Sequence, residues 1–208
     1  MVKRAASLPE PVRLDDRQMA GLCLFAGAVQ FSIGMIIAEA VDPRYSVSEN
    51  YISDLGVRAG AFVFNSSIIV LGLAIVATSW FAFRAFKDRI LTSVFLLAGV
   101  GAVGVGVFNE AFPLLHTLFS FIAFFFAALS AIAAFRILRA PFSYLSVLIG
   151  VGSLAALGLF GSKSNLGLGV GGMERMIVYP VLTWAIGSGG YLLGTAHEKP
   201  TSAGDTVP

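Results

Sequence analysis

Charged residues are scarce in this chain of 208 residues, since Asp, Glu, Lys and Arg make up 12% of it whereas 57% of the residues are hydrophobic. This small charged fraction and a mean hydropathy of +0.84 lie outside the usual range of soluble globular domains. The formal net charge is only +2, which argues against nucleic acid as a partner. Composition therefore predicts a membrane protein.

Cysteine and histidine are almost missing as well. The single cysteine, Cys23, lies in an apolar run, so the sequence excludes an intramolecular disulfide and a cysteine-based metal site. One histidine among carboxylates is a poor ligand set for zinc, although oxygen atoms of this kind suit calcium or magnesium. We therefore assign no metal ligands and leave the cofactor unknown.

Long apolar runs separated by short polar breaks dominate what is present. A helix needs about 20 residues to cross the hydrocarbon core, and six stretches reach that length: residues 18–38, 61–83, 90–108, 114–135, 142–161 and 176–194. Short links make consecutive helices antiparallel neighbours. We predict an all-α membrane protein, a six-transmembrane-helix bundle over residues 17–195, with disordered polar tails at residues 1–16 and 196–208.

Basic residues gather on one side of this predicted bundle. That side has ten of the 14 Lys and Arg residues, and the other side has Arg44, Arg58, Lys163 and Arg175. Because Lys and Arg in short loops resist translocation, both termini are expected in the cytoplasm. The protein is then an integral multi-pass protein of the cell membrane, surrounded by the lipid bilayer.

Small residues predict one packing surface in the third span. Ala98, Ala102 and Gly106 follow one another at four-residue intervals, which allows the backbone of a neighbouring helix to approach closely. We expect this stripe to face another helix of the bundle.

A polar cluster is predicted on the side opposite the termini, and it begins in the first loop, residues 39–60. Hydrophobic residues recur in that loop at near-helical spacing, which predicts a short helix lying across the mouth of the bundle. In such a helix Asn50, Ser53 and Asp54 share one face, at i, i+3 and i+4. The alternative is that these three residues only cap helices and form turns.

The turn between the third and fourth spans adds a second polar group. Asn109 and Glu110 end one helix, and His116 and Ser120 lie on one face of the next. A carboxylate beside an imidazole fixes its tautomer and raises its basicity, as a general base requires. The alternative is a histidine that is merely hydrogen-bonded to the turn.

Three further residues are expected in the same cluster. Asn65 opens the second span, and Glu174 and Arg175 precede the sixth. Ionisable residues at this depth usually form pairs, so Glu174 and Arg175 are expected to pair with Asp54 or Glu110. The glycine-rich segment of residues 161–172 is interpreted as a flexible connector, with the alternative that its N–H groups bind a lipid headgroup phosphate.

Several of these residues together resemble a known family. The segments are Asn50-Tyr51-Ile52-Ser53-Asp54-Leu55-Gly56, Phe64-Asn65, Phe108-Asn109-Glu110, Phe112-Pro113 and His116. They are similar to the prokaryotic six-helix membrane proteins described as domain of unknown function 998, and the resemblance covers roughly residues 18–194. It implies the six-helix fold and the polar cluster, but no reaction, because the family's activity is not established.

The sequence leaves three functions open and does not decide whether the protein is an enzyme. The first is binding or acting on a lipid or other amphiphile at the outer face, with His116 as base and Ser53 as nucleophile or hydrogen-bond donor. The second is an accessory or scaffold subunit that contacts a membrane protein or a second copy of the chain. A small-solute transporter is less favoured, because no charge lies in mid-span. For the first function the candidate catalytic residues are His116, Asp54, Ser53 and Glu110, and the candidate binding residues are Asn50, Asn65, Asn109, Glu174 and Arg175.

Overall fold

The structure is a computed structural model that describes residues 13–195. The predicted tails fall largely on residues 1–12 and 196–208, which lie outside the described residues. The described part is helical and contains no strand. Its long helices are α1 (Asp16–Ala40), α2 (Ala61–Phe86), α3 (Arg89–Val107), α4 (Pro113–Ala133), α5 (Phe142–Gly161) and α6 (Gly169–Gly194). All six are long and apolar enough to cross a membrane, which confirms the predicted fold class.

Local sequence explains where several of these helices begin. The Asp15 side chain accepts a hydrogen bond from the backbone N–H of Gln18, and the Gln18 side-chain oxygen accepts one from the backbone N–H of Asp15. This capping box starts α1. Asp88 accepts from two backbone N–H groups at the start of α3. Pro113 is the first residue of α4, where a missing N–H has no cost.

The helices form a closed ring. Each helix packs against the next one along the chain, and α1 packs against α6. The backbones approach so closely at the α1–α6 contact that a Cβ on Gly21 would lie 2.7 Å from the carbonyl oxygen of Gly189. Such contacts suit a membrane, where helices associate through close packing rather than through the hydrophobic effect.

The stripe of small residues in α3 faces inward as predicted. Ala98 and Ala102 are 3% and 5% exposed, and Gly106 is buried against α2. The two alanines line a space in the middle of the ring.

The ring has two different ends. The terminal end contains the start of α1 and the end of α6, together with the α2–α3 and α4–α5 links. The mouth end contains the mouth loop, defined as residues 41–60, and the links of residues 108–112 and 162–168. At the terminal end, ion pairs join Arg84 to Asp16 and Arg136 to Asp88.

The start of the sixth helix differs from the prediction. α6 begins at Gly169 rather than near residue 176, so Glu174 and Arg175 lie inside the helix instead of preceding it. Glycine disfavours a helix, but here the mouth loop supplies a tertiary contact: the backbone N–H of Gly171 donates to the Ser48 carbonyl oxygen at 2.9 Å. The expected flexible connector is therefore shorter, and its last part is helical.

Candidate functional site

The mouth loop covers one end of the ring. Its residues Ser53–Gly56 form a single 3₁₀ turn, and the neighbouring Ile52 and Leu55 side chains are 3% and 0% exposed. The predicted short helix is therefore present only as this one turn, and Asn50 lies before it. The Arg58 guanidinium pairs with Asp42 at 2.6 Å, which ties the two ends of the loop together and lowers the pKa of the Asp42 carboxyl.

Arg175 attaches the mouth loop to α6. Its guanidinium, on a residue 4% exposed, donates to the carboxylate of Glu39 at 2.6 Å, to the hydroxyl of Tyr45 at 2.6 Å and to the carbonyl oxygen of Val47 at 2.8 Å. It also donates to the carbonyl oxygens of Asn50 and Gly171 and to the Tyr179 hydroxyl. Hydrogen bonds of this number and kind hold a charged group in place away from water.

The expected pairing of Arg175 with Asp54 or Glu110 is wrong. Consecutive residues of an α-helix point about 100° apart, so Glu174 faces the inside of the ring while Arg175 faces α1 and the mouth loop. The Arg175 ion pair is therefore made with Glu39. Burial raises the pKa of Tyr45 to about 12, so the Tyr45 hydroxyl stays protonated and donates a hydrogen bond to the carbonyl oxygen of Tyr51 at 2.9 Å.

Three of the four candidate catalytic residues lie at the mouth loop or beside it. The Ser53 hydroxyl donates to Glu110 at 2.6 Å, and Asp54 accepts from the side chain of Asn50 at 3.0 Å. Burial raises the pKa of the Glu110 carboxyl, and the neighbouring Asp54 raises it further, whereas the hydrogen bond from Ser53 opposes both effects. The expectation that Asn50, Ser53 and Asp54 act as one polar face holds in part, since Ser53 turns to the link between α3 and α4 and the other two pair with each other.

Asn65 and Asn109 position the loop rather than face an open space. Both side-chain amides donate to the carbonyl oxygen of Gly56, at 2.9 Å and 3.2 Å. They therefore attach the end of the 3₁₀ turn to α2 and to the link after α3. A Cβ on Gly56 would lie 2.7 Å from the Asn65 side-chain oxygen, so a larger residue here would displace the Asn65 amide from this contact.

His116 does not hydrogen-bond to Glu110 and follows the alternative instead, a histidine that is hydrogen-bonded to the turn. Its Nδ1 lies 2.9 Å from the carbonyl oxygen of Phe108. Because that carbonyl can only accept, Nδ1 has the proton and Nε2 is the acceptor for the Ser120 hydroxyl at 3.3 Å. The physical reason is that the last carbonyl groups of a helix have no partner within it, and His116 supplies one for the end of α3.

A cavity of about 100 Å³ lies inside the ring. A single water needs about 10–15 Å³ in the same measure, so the space holds several atoms in a row. Five helices and the mouth loop line it, and α5 does not. The lining is apolar except for four residues: Ser53, Ser120, Ser130 and Glu174.

Glu174 lies where the cavity meets the mouth loop. It is 4% exposed, and its Oε2 accepts the backbone N–H of Ile52 at 2.5 Å. Among the described residues its other oxygen has no hydrogen-bond partner. The described part of the chain contains no group of three or more His, Cys, Asp and Glu side chains that could hold a metal ion.

The residues that line the cavity could not be identified from the sequence. Trp184 and Trp80 both lie in apolar spans, yet Trp184 is 4% exposed and Trp80 is 62% exposed. Lipid is as apolar as the inside of a protein, so an apolar residue has no signal that tells these two surroundings apart. Ser120 had a signal, its helical spacing from His116, but nothing in the sequence placed it at a cavity.

Comparison with known proteins identifies a family. The sequence model of the family described as "Protein of unknown function (DUF998)" matches residues 25–190. The matched segment reaches from α1 to α6 and includes the mouth loop and the cavity. No curated protein and no solved structure matches the chain.

Proposed function

The chain belongs to the DUF998 family of proteins of unknown function, and we propose that it binds a single-chain amphiphile inside the helix ring. The hydrocarbon chain lies in the central cavity, and the polar group of the ligand meets Ser53 and Glu174 under the mouth loop. The mouth end faces the outer side of the cell membrane in this proposal, because the terminal end has most of the Lys and Arg residues.

The observation that carries the proposal is the shape and polarity of the cavity. Glu174 and Trp184 both line it, and ten residues of helix separate them, which corresponds to about 15 Å along the axis of α6. The cavity has room for roughly seven to ten water-sized groups, and spread over such a length this room makes a narrow tunnel. One hydrocarbon chain fits these dimensions, and the two chains of a phospholipid do not.

Polar groups must supply the selectivity of this site. A hydrocarbon chain is already in an apolar medium when it is in the bilayer, so moving it into an apolar cavity yields little free energy. The free oxygen of Glu174 is buried at the end of the cavity, and a buried acceptor without a donor is unfavourable. A ligand with an N–H or O–H group at its polar end would supply that donor. Long-chain amines and alcohols have this chemistry.

Tryptophan fluorescence can test the proposal, because the chain has two tryptophans in opposite surroundings. The Trp80→Phe variant keeps only Trp184, inside the cavity. We expect a bromine-labelled long-chain alcohol to quench this Trp184 signal to saturation in detergent-solubilised protein. The matched Trp184→Phe variant reports from lipid-exposed Trp80, where quenching should increase in proportion to the probe without saturating.

A third variant shows whether the quenching comes from the cavity. Ala102→Leu, made in the Trp80→Phe background, places a larger side chain at a residue that lines the cavity. We expect it to remove the saturable part of the quenching while the thermal unfolding temperature stays close to that of its parent. Quenching of Trp184 that is linear in probe concentration, or that is unchanged by Ala102→Leu, contradicts the proposal.

A second candidate function is hydrolysis of an ester or amide bond in the bound amphiphile, and the Ser120–His116 hydrogen bond favours it. The Ser120 hydroxyl lines the cavity and donates to an imidazole nitrogen whose tautomer is set by the Phe108 carbonyl. This is the arrangement of a serine nucleophile and its base. Ser120 therefore replaces Ser53 as the candidate nucleophile, because Ser53 donates to Glu110.

A fluorophosphonate probe distinguishes these two serines. It bonds to an activated serine oxygen with loss of fluoride, and peptide mass spectrometry locates the adduct. Hydrolase function predicts labelling of Ser120 that is lost in Ser120→Ala and retained in Ser53→Ala. Labelling at Ser53 restores the first assignment of the nucleophile, and unlabelled protein means that the Ser120–His116 contact only stabilises the mouth.

A further inference from the structure

Trp184 lines the cavity and has an unused hydrogen-bond donor. The residue is 4% exposed, and its indole N–H has no partner among the described residues. The Phe95 ring stacks on the indole, with 6.3 Å between centroids and 18° between planes. Such packing restricts rotation of the indole. A buried tryptophan N–H usually has a hydrogen-bond partner, so the missing acceptor requires an explanation.

The polar residues near the cavity do not supply that acceptor, because no oxygen of the described residues makes a hydrogen bond with the indole N–H. The Ser130 hydroxyl is bonded to the carbonyl oxygen of Phe126 at 2.8 Å, and the Ser120 hydroxyl to His116. A water molecule is also a poor candidate, because a buried water needs two to four polar partners. Trp184 offers one donor in a wall that is otherwise almost entirely apolar.

We propose that Trp184 is a specificity-determining residue that binds an oxygen atom within the chain of the amphiphile. A keto, ester or ether oxygen is held in place by its own covalent chain, so it needs only one protein donor. The site then recognises two points: a donor group of the ligand at Glu174, and an acceptor oxygen at Trp184, about 15 Å further along α6. A long-chain alcohol without a second oxygen has the donor group for Glu174 but no acceptor for Trp184.

This inference rests on the proposed function, and one experiment tests both separately. The probes are long-chain alcohols of equal length that have one keto group, placed at successive positions along the chain, and the parent alcohol without it. Each probe competes with the radiolabelled parent alcohol for the purified full-length protein. Trp184→Phe is the test variant, and Trp80→Phe is its matched control outside the cavity.

We expect a narrow set of keto positions to bind wild-type protein and Trp80→Phe about fivefold more tightly than the parent alcohol. That factor corresponds to one ordinary net hydrogen bond. In Trp184→Phe every keto probe should bind no more tightly than the parent alcohol. A preference that survives in Trp184→Phe, or equal binding of all probes to wild type, overturns the role of Trp184 while chain binding stands. If the parent alcohol itself shows no displaceable binding, the proposed function fails and this inference fails with it.

Discussion

Replacing Arg175 by methionine should release the mouth loop from α6 and destabilise the whole protein. Methionine has a similar length but no charge and no donors. In the native protein the Arg175 guanidinium donates to the Glu39 carboxylate, the Tyr45 hydroxyl and loop carbonyl oxygens. The Arg175→Met variant leaves these acceptors in place without their donor, and Glu39, whose side chain is 20% exposed, loses its ion-pair partner.

The expected loss follows from the burial of the pair. Removing one partner of a buried ion pair costs about 3–5 kcal/mol, because the remaining charge and acceptors are left unsatisfied. For a chain of about this length, 1 kcal/mol changes the melting temperature by roughly 2–4 °C. Arg175→Met should therefore melt roughly 6–20 °C below wild type. Arg175→Lys should fall between the two, because lysine keeps the charge but cannot reproduce the planar fork of donors.

Thermal unfolding of the detergent-solubilised protein measures this difference, and Arg44→Met is the matched control. Arg44 lies in the same loop and is exposed, so its removal should change the melting temperature little. The same samples should be tested for quenching of Trp184 by the brominated alcohol, because a released loop also disturbs the cavity end. A melting temperature for Arg175→Met within about 2 °C of wild type would refute the assignment of Arg175 as the anchor of the loop.

Three further predictions concern single contacts. Gly171→Ala should lower the melting temperature by several degrees, since its Cβ would lie 2.0 Å from a carbonyl oxygen of the mouth loop. The control Gly190→Ala lies on the same helix, its Cβ would have nothing within 4 Å, and the melting temperature should not change. Asp88→Ser should lower the free energy of unfolding by at most about 1 kcal/mol, because serine still caps α3 and only the ion pair with half-exposed Arg136 is lost. Asp88→Ala loses the cap as well, so it should lower the free energy of unfolding by about 1 kcal/mol more. Glu110→Gln should change the pH dependence of unfolding. The pKa of Glu110 is raised in the folded protein, so protonation of this carboxyl stabilises the fold fully below its ordinary pKa of 4.5, and this stabilisation is lost as pH rises through the folded pKa. Over that range the wild type should lose stability relative to Glu110→Gln. Parallel plots of unfolding free energy against pH for the two proteins would contradict the shift.

The ends of the helices were largely predictable, and the contacts at the mouth were not. Polar caps such as Asp88 and the proline at residue 113 mark helix starts locally, which is why five of the six spans begin within three residues of the expected positions. The start of α6 was placed too late, because the glycines at its beginning are held in a helix by the mouth loop rather than by their own propensity. A contact between segments distant in the chain leaves no local pattern.

The partners of the candidate site residues show the same division. Spacing correctly brought Ser53 and Glu110 to one end of the bundle, since each lies just outside a span on the same side. It did not show that Arg175 turns to Glu39, or that His116 turns to a backbone carbonyl, because those choices depend on how each helix is rotated about its own axis. The rotation of a helix is set by its packing against neighbouring helices, and the hydropathy of the sequence does not show that packing.

The sequence by itself determined that this is a six-helix membrane protein with a polar mouth, because the thickness of the bilayer sets the length of an apolar helix and short links leave few arrangements. Tertiary structure alone decided that α1 meets α6, that the ring encloses a cavity, and that Trp184 faces it while Trp80 faces outward. The physical reason is that lipid and protein interior are equally apolar, so only packing distinguishes the inside of the ring from its outside.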